Sequence, residues 1–387
     1  MNFDKLNFIT QNFFINSEVL NINKINSGLI NETYIIEYLY HRKKSKFILQ
    51  SLSNVFDSHE IVNMNHKLIT EHMNKKLYEG FWDLDLNRWE VPNLIRCESN
   101  NGFIFPYQSD NWRAMVYIDR TFNQDFIEDE SMAYQIGIGL AKFHLVCSDF
   151  DSLKLKNSIT NFHNTRYYMD QYISSINDYN FKKLDNKDHK RVRYLIDSLY
   201  KHIFFIDYLL EDLGKKSMDY NVIHGDPKIN NFLFDVQDKY VVSLIDLDTV
   251  SSGYLLTDIA DCIRSISNLA GEDPLNTENV YFDINSCKYF LKGYSSKTDV
   301  QMDETFKSLP EFIYLTIFEL TIRFLTDFLK SNRYFKIKYE THNLFKAEIQ
   351  YRLLSSFLMQ ISNFSKDLNE IGISPDSNFV SDVQKFV

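Results

Sequence analysis

The hydrophobic period of this chain changes near Asp119 and changes back once, briefly, and that pattern limits the folds open to it. Before the switch, short runs alternate with period two, as a half-buried strand requires. Val19–Asn26 is the first, Ser27-Gly28 turns, and Thr33–Tyr40 is the second. A charged turn over His41–Ser45 leads to a third strand over Lys46–Leu49. Asp57 to about Leu77 has helical spacing, with Ile61, Met64, Leu68 and His72 on one stripe. Asn100-Asn101-Gly102 predicts a hairpin between Asn93–Cys97 and Phe103–Tyr107, and Trp112–Ile118 is a further strand. After the switch, Asp129 can cap a helix whose Ala133, Ile136, Leu140 and Phe143 share a face. Lys187–Leu213 predicts a long helix with Ile203 and Leu210 among its inward residues and Gly214 as its C′ residue. Three short strands interrupt, Asn221–His224, Phe232–Asp235 and Val241–Asp246, before helices resume at Asp258 and include Glu311–Leu329 and Asn343–Met359. The expectation is an α+β protein of two lobes with a cleft between them. A β-rich lobe covers 1–118, and a mainly helical lobe covers 119–387 and carries the β island.

Composition excludes several classes. A chain of 387 residues with 32 Phe and 24 Tyr has ample material for a large core. With 11 Gly and 6 Pro it is neither collagen-like nor linker-rich. A net charge of −10, with no basic run longer than Arg42-Lys43-Lys44, argues against nucleic acid, where phosphate neutralisation dominates affinity. Cys97, Cys147, Cys262 and Cys287 are scattered without a C-x-x-C pair, the usage of a reducing compartment. No apolar run reaches 18 residues and the N-terminus lacks an apolar signal core, so the expectation is a cytoplasmic protein without a membrane partner.

The β island carries the chemistry. It reads Val222-Ile223-His224-Gly225-Asp226-Pro227-Lys228-Ile229-Asn230-Asn231, and a later strand delivers Ile245-Asp246-Leu247-Asp248. The spacing His-x-Asp-x-x-x-x-Asn, then an Asp at the end of a strand, is that of a kinase catalytic loop and its metal-binding Asp. The three-residue match alone is weak, and a solvated turn between core strands would also carry an Asp and an Asn. The flanking strands, and an Asp twenty positions after the first, raise it. Phosphoryl transfer is mostly positioning and charge neutralisation, which assigns roles. Asp226 would accept the proton of the attacking hydroxyl, Asn231 and Asp246 would hold Mg²⁺, and Lys228 would meet a phosphate oxygen.

These residues resemble the aminoglycoside phosphotransferase and choline kinase superfamily. Leu140-Ala141-Lys142-Phe143-His144 is similar to its L-A-x-L-H helix. More of the chain resembles the N-acetylhexosamine 1-kinase branch. The matching segments are Gly28-Leu29-Ile30-Asn31-Glu32-Thr33-Tyr34, Phe47-Ile48-Leu49-Gln50, Trp112–Ile118, Phe162-His163-Asn164-Thr165, Ile245–Val250, Asp258–Arg264, and Glu319–Asp327 with Tyr334-Phe335. They run in order over most of the chain. The resemblance implies a bilobal protein-kinase-like fold, ATP and Mg²⁺ as cofactors, and the anomeric hydroxyl of an N-acetylhexosamine as acceptor. It further implies Gly28, Asn31, Thr33, Gln50, Met115, Val116 and Ile118 at the nucleotide, and Arg323, His163, Asp248 and Tyr334 at the acceptor.

The departures matter. Gln50 stands where most kinases have lysine, and Glu60 and Glu71 are candidate helix partners with no such lysine to pair with. Gly225-Asp226-Pro227 differs from the Asn-Asp-Thr frequent in the resembling branch, which loosens the substrate more than the reaction. Arg323, inside an apolar helix, is either an ion-pair partner of Asp327 or a substrate contact. His163 either touches sugar or fills core, and Asp258 is either an N-cap or a brace for the loop. His59 and His66 read as surface or capping histidines. An amino-alcohol or aminoglycoside acceptor is the rival within the class, and a catalytically silent nucleotide-binding protein is the rival outside it.

Overall fold

The computed structural model describes residues 3–25, 30–81, 87–181, 185–298 and 306–386. The chain divides into two compact units. One comprises Met1–Phe122, Val146–Thr160 and Leu233–Ser252, and the other Asn123–Leu145, Asn161–Phe232 and Gly253–Val387.

The first unit opens with a helix that the strand-dominated reading of this region did not anticipate, α1 (Phe3–Phe13). Its buried Leu6, Ile9, Thr10 and Phe13 recur at i, i+3, i+4 and i+7, a helical signal that eleven residues carry weakly. Strands β1 (Glu18–Ile25), β2 (Glu32–Tyr40) and β3 (Lys43–Ser51) follow as an antiparallel meander. The β2–β3 turn is tighter than the charged stretch suggests. His41 and Arg42 both take left-handed φ, 48° and 63°, the geometry of a two-residue hairpin turn, so β3 begins at Lys43. Lys44 and Lys46 project outward and each lies 3.3 Å from Glu37, while Phe47 and Leu49 point into the core.

Helix α2 (His59–Tyr78) is present, but it turns a different face inward from the one its apolar residues mark. Val62, His66, Ile69 and Met73 are buried and Met64 is exposed. The buried face holds polar groups with specific partners. Asn65 Nδ2 donates to the carbonyls of Lys156 (2.6 Å) and Val250 (3.1 Å), and His66 Nε2 meets the carbonyl of Pro92 at 2.6 Å. A hydrophobic stripe could not reveal them, and His66 is a core histidine. Beyond α2, β4 (Leu94–Ile95) and β5 (Phe105–Tyr107) both pair with β6 (Asp110–Val116). The Asn100–Gly102 turn forms, with Cys97 N donating to Gly102 O at 2.7 Å, but it closes no ladder between β4 and β5. The main sheet thus runs β1-β2-β3-β6-β4 with β5 beside β6. A small sheet of Thr121–Phe122, Phe232–Asp235 and Val241–Leu244 follows.

The second unit is helical. Asp129 caps α3 (Glu130–Val146) through Met132 N at 2.9 Å, with the expected Ala133, Ile136, Leu140 and Phe143 buried. Helices α4 (Thr165–Asp178), α5 (Asn186–Leu213), α6 (Leu255–Ile266) and α7 (Ile284–Ser295) follow, then α8 (Leu309–Leu329), α9 (His342–Glu370) and α10 (Ser377–Phe386). In α5 the inward positions include His202, Phe205 and Leu209, while Ile203 and Leu210 are half-buried. Gly214 caps it with an ordinary helical φ of −64°. The glycines of α3 and α7 have a packing role. A Cβ at Gly137 would lie 2.0 Å from Phe290 O, and one at Gly293 would lie 2.0 Å from Tyr134 O. Only glycine permits this approach, which offsets its low helix propensity of about 1 kcal/mol relative to alanine. The approach sets Tyr294 beside His144, with hydroxyl and Nδ1 2.9 Å apart.

Candidate active site

In the second unit the loop after strand Asn221–Ile223 is held from below by α6. Asp258 lies within the first turn of α6, whose N-cap is Tyr254, so its carboxylate is not used as a cap. It accepts from His224 N (2.6 Å), Gly225 N (2.8 Å) and His144 Nε2 (3.0 Å) and is fully buried. Since a carboxylate only accepts here, the His144 proton sits on Nε2 and Nδ1 accepts the Tyr294 hydroxyl. Burial pushes the Asp258 carboxyl up, but the hydrogen bond and electrostatic attraction of His144, the nearby His224 and the Gly225 N–H outweigh it, so the group lies below the ordinary Asp value. Of the two readings open for Asp258, the brace is the one formed.

Further contacts fix the loop's far end. Ile229 N donates to Ser265 Oγ at 3.1 Å, and Ser265 donates to Glu272. Arg264 joins Asp261 (2.7 Å) and Glu272 (3.1 Å), so the Asp258, Asp261 and Arg264 of one short motif all serve this loop's support. Between these anchors Asp226 is half-buried and bonds Lys228 through Oδ2, and among the described residues its Oδ1 has no hydrogen-bond partner. Asn231 Nδ2 donates to Asp226 O at 2.8 Å, and no donor among the described residues reaches its Oδ1.

A second cluster of the same unit runs outward from the loop. His163, at a left-handed φ of 58°, meets Gly225 O through Nε2 at 2.8 Å and lies 3.9 Å from Glu319 through Nδ1. Glu319 accepts from Thr165 Oγ1 at 2.8 Å and lies 3.8 Å from Arg323. The Arg323 guanidinium sits among the rings of Tyr168 (4.7 Å), Phe162 (5.3 Å), Tyr334 (5.7 Å) and Phe335 (5.7 Å), and its hydrogen bond is one of 3.5 Å to the Tyr334 hydroxyl. The anticipated pair with Asp327 is absent. Asp327 instead accepts from the backbone of Arg333, Tyr334 and Phe335 and from Asn343, and so shapes the turn that presents Tyr334.

The remaining candidates belong to the first unit. Thr33, Gln50 and Arg113 stand in one row across β2, β3 and β6, each directly opposite the next. Arg113 donates to Gln50 Oε1 from Nε (2.9 Å) and Nη2 (2.5 Å), to Asn63 at 3.4 Å, and to Asp248. Gln50 Nε2 donates to Thr33 Oγ1 at 3.0 Å. Asp248 also accepts from Asn31 Nδ2 at 2.7 Å, and Asn31 Oδ1 accepts from Ser53 N. Asp248 therefore has both oxygens engaged inside the first unit, with Arg113 and Asn31. Glu60 bonds the N-cap Ser58, and Glu71 pairs with Lys67, so α2 contributes Asn63 rather than a glutamate. Asp246 takes a left-handed φ of 66° for a non-glycine residue, a backbone outlier of the kind that gathers at functional sites. Met115 and Ile118 are buried and Val116 is exposed at the end of β6. Gly28 lies outside the described residues. Sequence reasoning missed Arg113 and Asn63 as site residues; their signal was a charged residue in an apolar strand and a polar residue on a helix's buried face.

The donors fit a hard divalent cation in kind. In the first unit Asp246 has a carboxylate and in the second Asn231 has an amide oxygen, each the kind of oxygen donor that Mg²⁺ takes in small number. Among the described residues no helix is long and apolar enough to cross a membrane.

Comparison with known proteins places this architecture among the kinase-like phosphotransferases. Residues 86–283, just over half the chain, match the phosphotransferase enzyme family, and the chain belongs to that family. Its structure is similar to a choline kinase from Cryptosporidium parvum Iowa II, with TM-score 0.56 and 13% identity over 95% of this chain and 98% of that one. It is similar to a microcompartment-associated aminopropanol kinase (0.55, 14%, 92% and 98%). It is also similar to an amicoumacin kinase solved with AMP-PNP and Ca²⁺ (0.52, 14%, 91% and 94%).

Proposed function

We propose that this protein is an ATP- and Mg²⁺-dependent small-molecule kinase that phosphorylates the anomeric hydroxyl of an N-acetylhexosamine. The observation that carries the reaction class is the braced loop. Asp258 spends a buried carboxylate on two successive backbone N–H groups immediately before Asp226, which fixes that residue's backbone and leaves its Oδ1 to accept a hydroxyl proton. Lys228, bonded to the other oxygen, holds the Asp226 side chain in one orientation and brings a cation to the loop. Asn231 and Asp246 hold Mg²⁺, which when bound supplies the charge neutralisation that the phosphate oxygens require. Asn31, Thr33, Gln50, Met115, Val116 and Ile118 of the first unit, with Gly28, take the nucleotide. An enzyme spending ATP, with its free cysteines buried, suits the cytoplasm.

The acceptor is argued from Arg323. The choline and aminopropanol kinases named above have amino-alcohol acceptors, and an aromatic box is how proteins hold such cations. Here the box is filled by the protein's own guanidinium, which has an ion pair with Glu319 at 3.8 Å and one long hydrogen bond to Tyr334 and so has further donors to offer. That supports an acceptor offering oxygen lone pairs, as an N-acetyl sugar does through its hydroxyls and acetamido carbonyl. His163 and Tyr334 stand on the same cluster as further polar contacts. The test is a coupled ATPase assay over N-acetylglucosamine, N-acetylgalactosamine, choline, ethanolamine and kanamycin, with Asp226→Asn as control. Turnover with an N-acetylhexosamine, reduced about 10²–10⁴-fold in the variant, is expected. Turnover with choline alone would overturn the acceptor and keep the reaction. A variant retaining a tenth of kcat would overturn Asp226 as base.

A further inference from the structure

The row Thr33–Gln50–Arg113 raises a question about charge. The position of Gln50 is where kinases place the lysine that meets the nucleotide phosphates, and glutamine is neutral. Directly behind it on the next strand stands a guanidinium with no exposure to solvent. We propose that Arg113 is a positioning residue for nucleotide binding: it locks the Gln50 amide with its N–H donors outward and polarises them, so that Arg113 and Gln50 together replace the kinase lysine.

The geometry supports this in three ways. First, a guanidinium can only donate, so the two bonds from Arg113 Nε and Nη2 require the Gln50 oxygen to face Arg113 and its nitrogen to face away. Of the two N–H groups on that nitrogen one goes to Thr33 Oγ1 and the other has no hydrogen-bond partner among the described residues, which leaves a donor to offer. Secondly, a charged donor on the amide oxygen withdraws electron density through the amide, and hydrogen bonds in series strengthen one another. Thirdly, the charge is tethered to the proposed metal segment. Asp248, two residues after Asp246, bonds both Arg113 and Asn31, so the guanidinium links strand β3 to the residues following the glycine turn. A buried Arg–Asp pair is a weak source of stability by itself, since desolvation can exceed the attraction. Gripping an amide oxygen with two donors is what a structural pair would not need.

The inference rests on the nucleotide reading proposed above, and the test separates the two. Thermal shift with Mg-ATP on the wild type comes first; no shift overturns the kinase reading and this inference with it. Given a shift, Gln50→Glu is the decisive variant. Glutamate keeps the grip of Arg113 and should leave the melting temperature at or above wild type, but it has no N–H to offer and carries a charge that repels phosphate. The ATP KM should rise at least about tenfold, the loss of one charge-assisted hydrogen bond, with the acceptor KM little changed. Gln50→Lys alone sets two cations against one carboxylate and should lose ATP binding or stability. Gln50→Lys with Arg113→Gln moves the cation one strand and should restore the ATP KM to within about threefold of wild type, because the coupling is pairwise. A folded Gln50→Glu protein with its ATP KM within about twofold of wild type would overturn the proposal. So would a double variant that is stable yet no better than Gln50→Lys.

Discussion

Replacing Asp258 with asparagine changes one oxygen to an amino group and leaves the shape alone, so its effect can be worked from the bonds present. Gly225 N donates to Oδ1, while His224 N and His144 Nε2 both donate to Oδ2. An amide can keep only one of these oxygens. With the oxygen toward Gly225, the new amino group faces His144 and His224. His144 can adapt: shifting its proton to Nδ1 lets Nε2 accept, and the Tyr294 hydroxyl then accepts in turn. The His224 backbone has no such freedom, and its N–H is left buried against another donor. That orphan costs about 1–3 kcal/mol. The surviving bond to Gly225 falls from charge-assisted to neutral, a further loss of about 1 kcal/mol. The opposite rotamer orphans Gly225 N instead, at similar cost. The expected destabilisation is therefore about 2–4 kcal/mol, and the orphaned donor lies one or two residues before Asp226. A displacement of the base near an ångström should lower kcat by about 10²-fold with little change in ATP KM.

Urea denaturation and steady-state kinetics on the same preparation measure both quantities. The stability deficit should also depend on pH with a definite sign. Asp258 lies below its ordinary value in the folded chain, so its contribution is present above the unfolded Asp range and lost as pH falls through the folded value. The gap between wild type and Asp258→Asn should therefore be full at pH 7 and narrow in acid. A variant within about 0.5 kcal/mol of wild type and with unaltered kcat would show that the loop holds itself, and the bracing argument would fail.

Three further outcomes are expected. Asp246→Asn, chosen because asparagine tolerates the left-handed backbone at φ 66°, should keep the fold and lose the Mg-dependent part of the ATP thermal shift; an unchanged shift would place the metal elsewhere. Arg323→Ala should raise the acceptor KM at least about tenfold and the ATP KM little, whereas a large fall in melting temperature with an unaltered acceptor KM would make Arg323 a structural residue. Glu311, buried 3.6 Å from Lys216 with one oxygen unpartnered, is pushed by burial from 4.5 to about 7. The folded chain then holds that proton more tightly than the unfolded one, so stability falls as pH rises from 4.5 to 7 and is level above; Glu311→Gln should gain up to about 3 kcal/mol at pH 8 and almost nothing at pH 4, and a gain equal at both would refute it.

Much of the fold was legible because apolar spacing carries it. The strands of the meander, the cap at Asp129 and the long α5 all follow from alternation, period 3.6 and short polar side chains. The errors occur where buried polar groups decide. Helix α2 turns its Asn65 and His66 inward because two carbonyls and a proline carbonyl await them, and an apolar stripe cannot show that. The hairpin at His41-Arg42 is tighter because charged residues were read as loop although they are the outward half of a strand pair with Glu37. At the candidate site, the spacing of Asp226, Lys228 and Asn231 marked one loop, and the structure places all three on it, joined by the Asp226–Lys228 and Asn231–Asp226 bonds. The environment of Arg323 was not, because its partners come from α4, α8 and the turn at 334–335, which no single period joins.

A remote packing choice reaches Asp226, the proposed base, through the loop. Gly137 and Gly293 let α3 and α7 touch backbone to backbone, and the contact sets the Tyr294 hydroxyl on His144. Asp258, which only accepts, settles that His144 Nε2 carries the proton, and the Tyr294 hydroxyl completes the ring's other side by donating to Nδ1. Asp258 in turn orients His224 and Gly225, and Asp226 follows from them. Each step is a buried polar group with few alternatives, so an error at one is passed on rather than absorbed. Asp258 and Asp226 differ in burial. Asp258 is sealed and saturated with donors, which suits a fixed brace. Asp226 is half-exposed and, among the described residues, keeps one oxygen without a hydrogen-bond partner, as the proposed base would. An apolar residue at 258 would pack as well and would leave two backbone donors unmet at the point where the reaction needs them still, so a buried charge belongs there despite its desolvation cost.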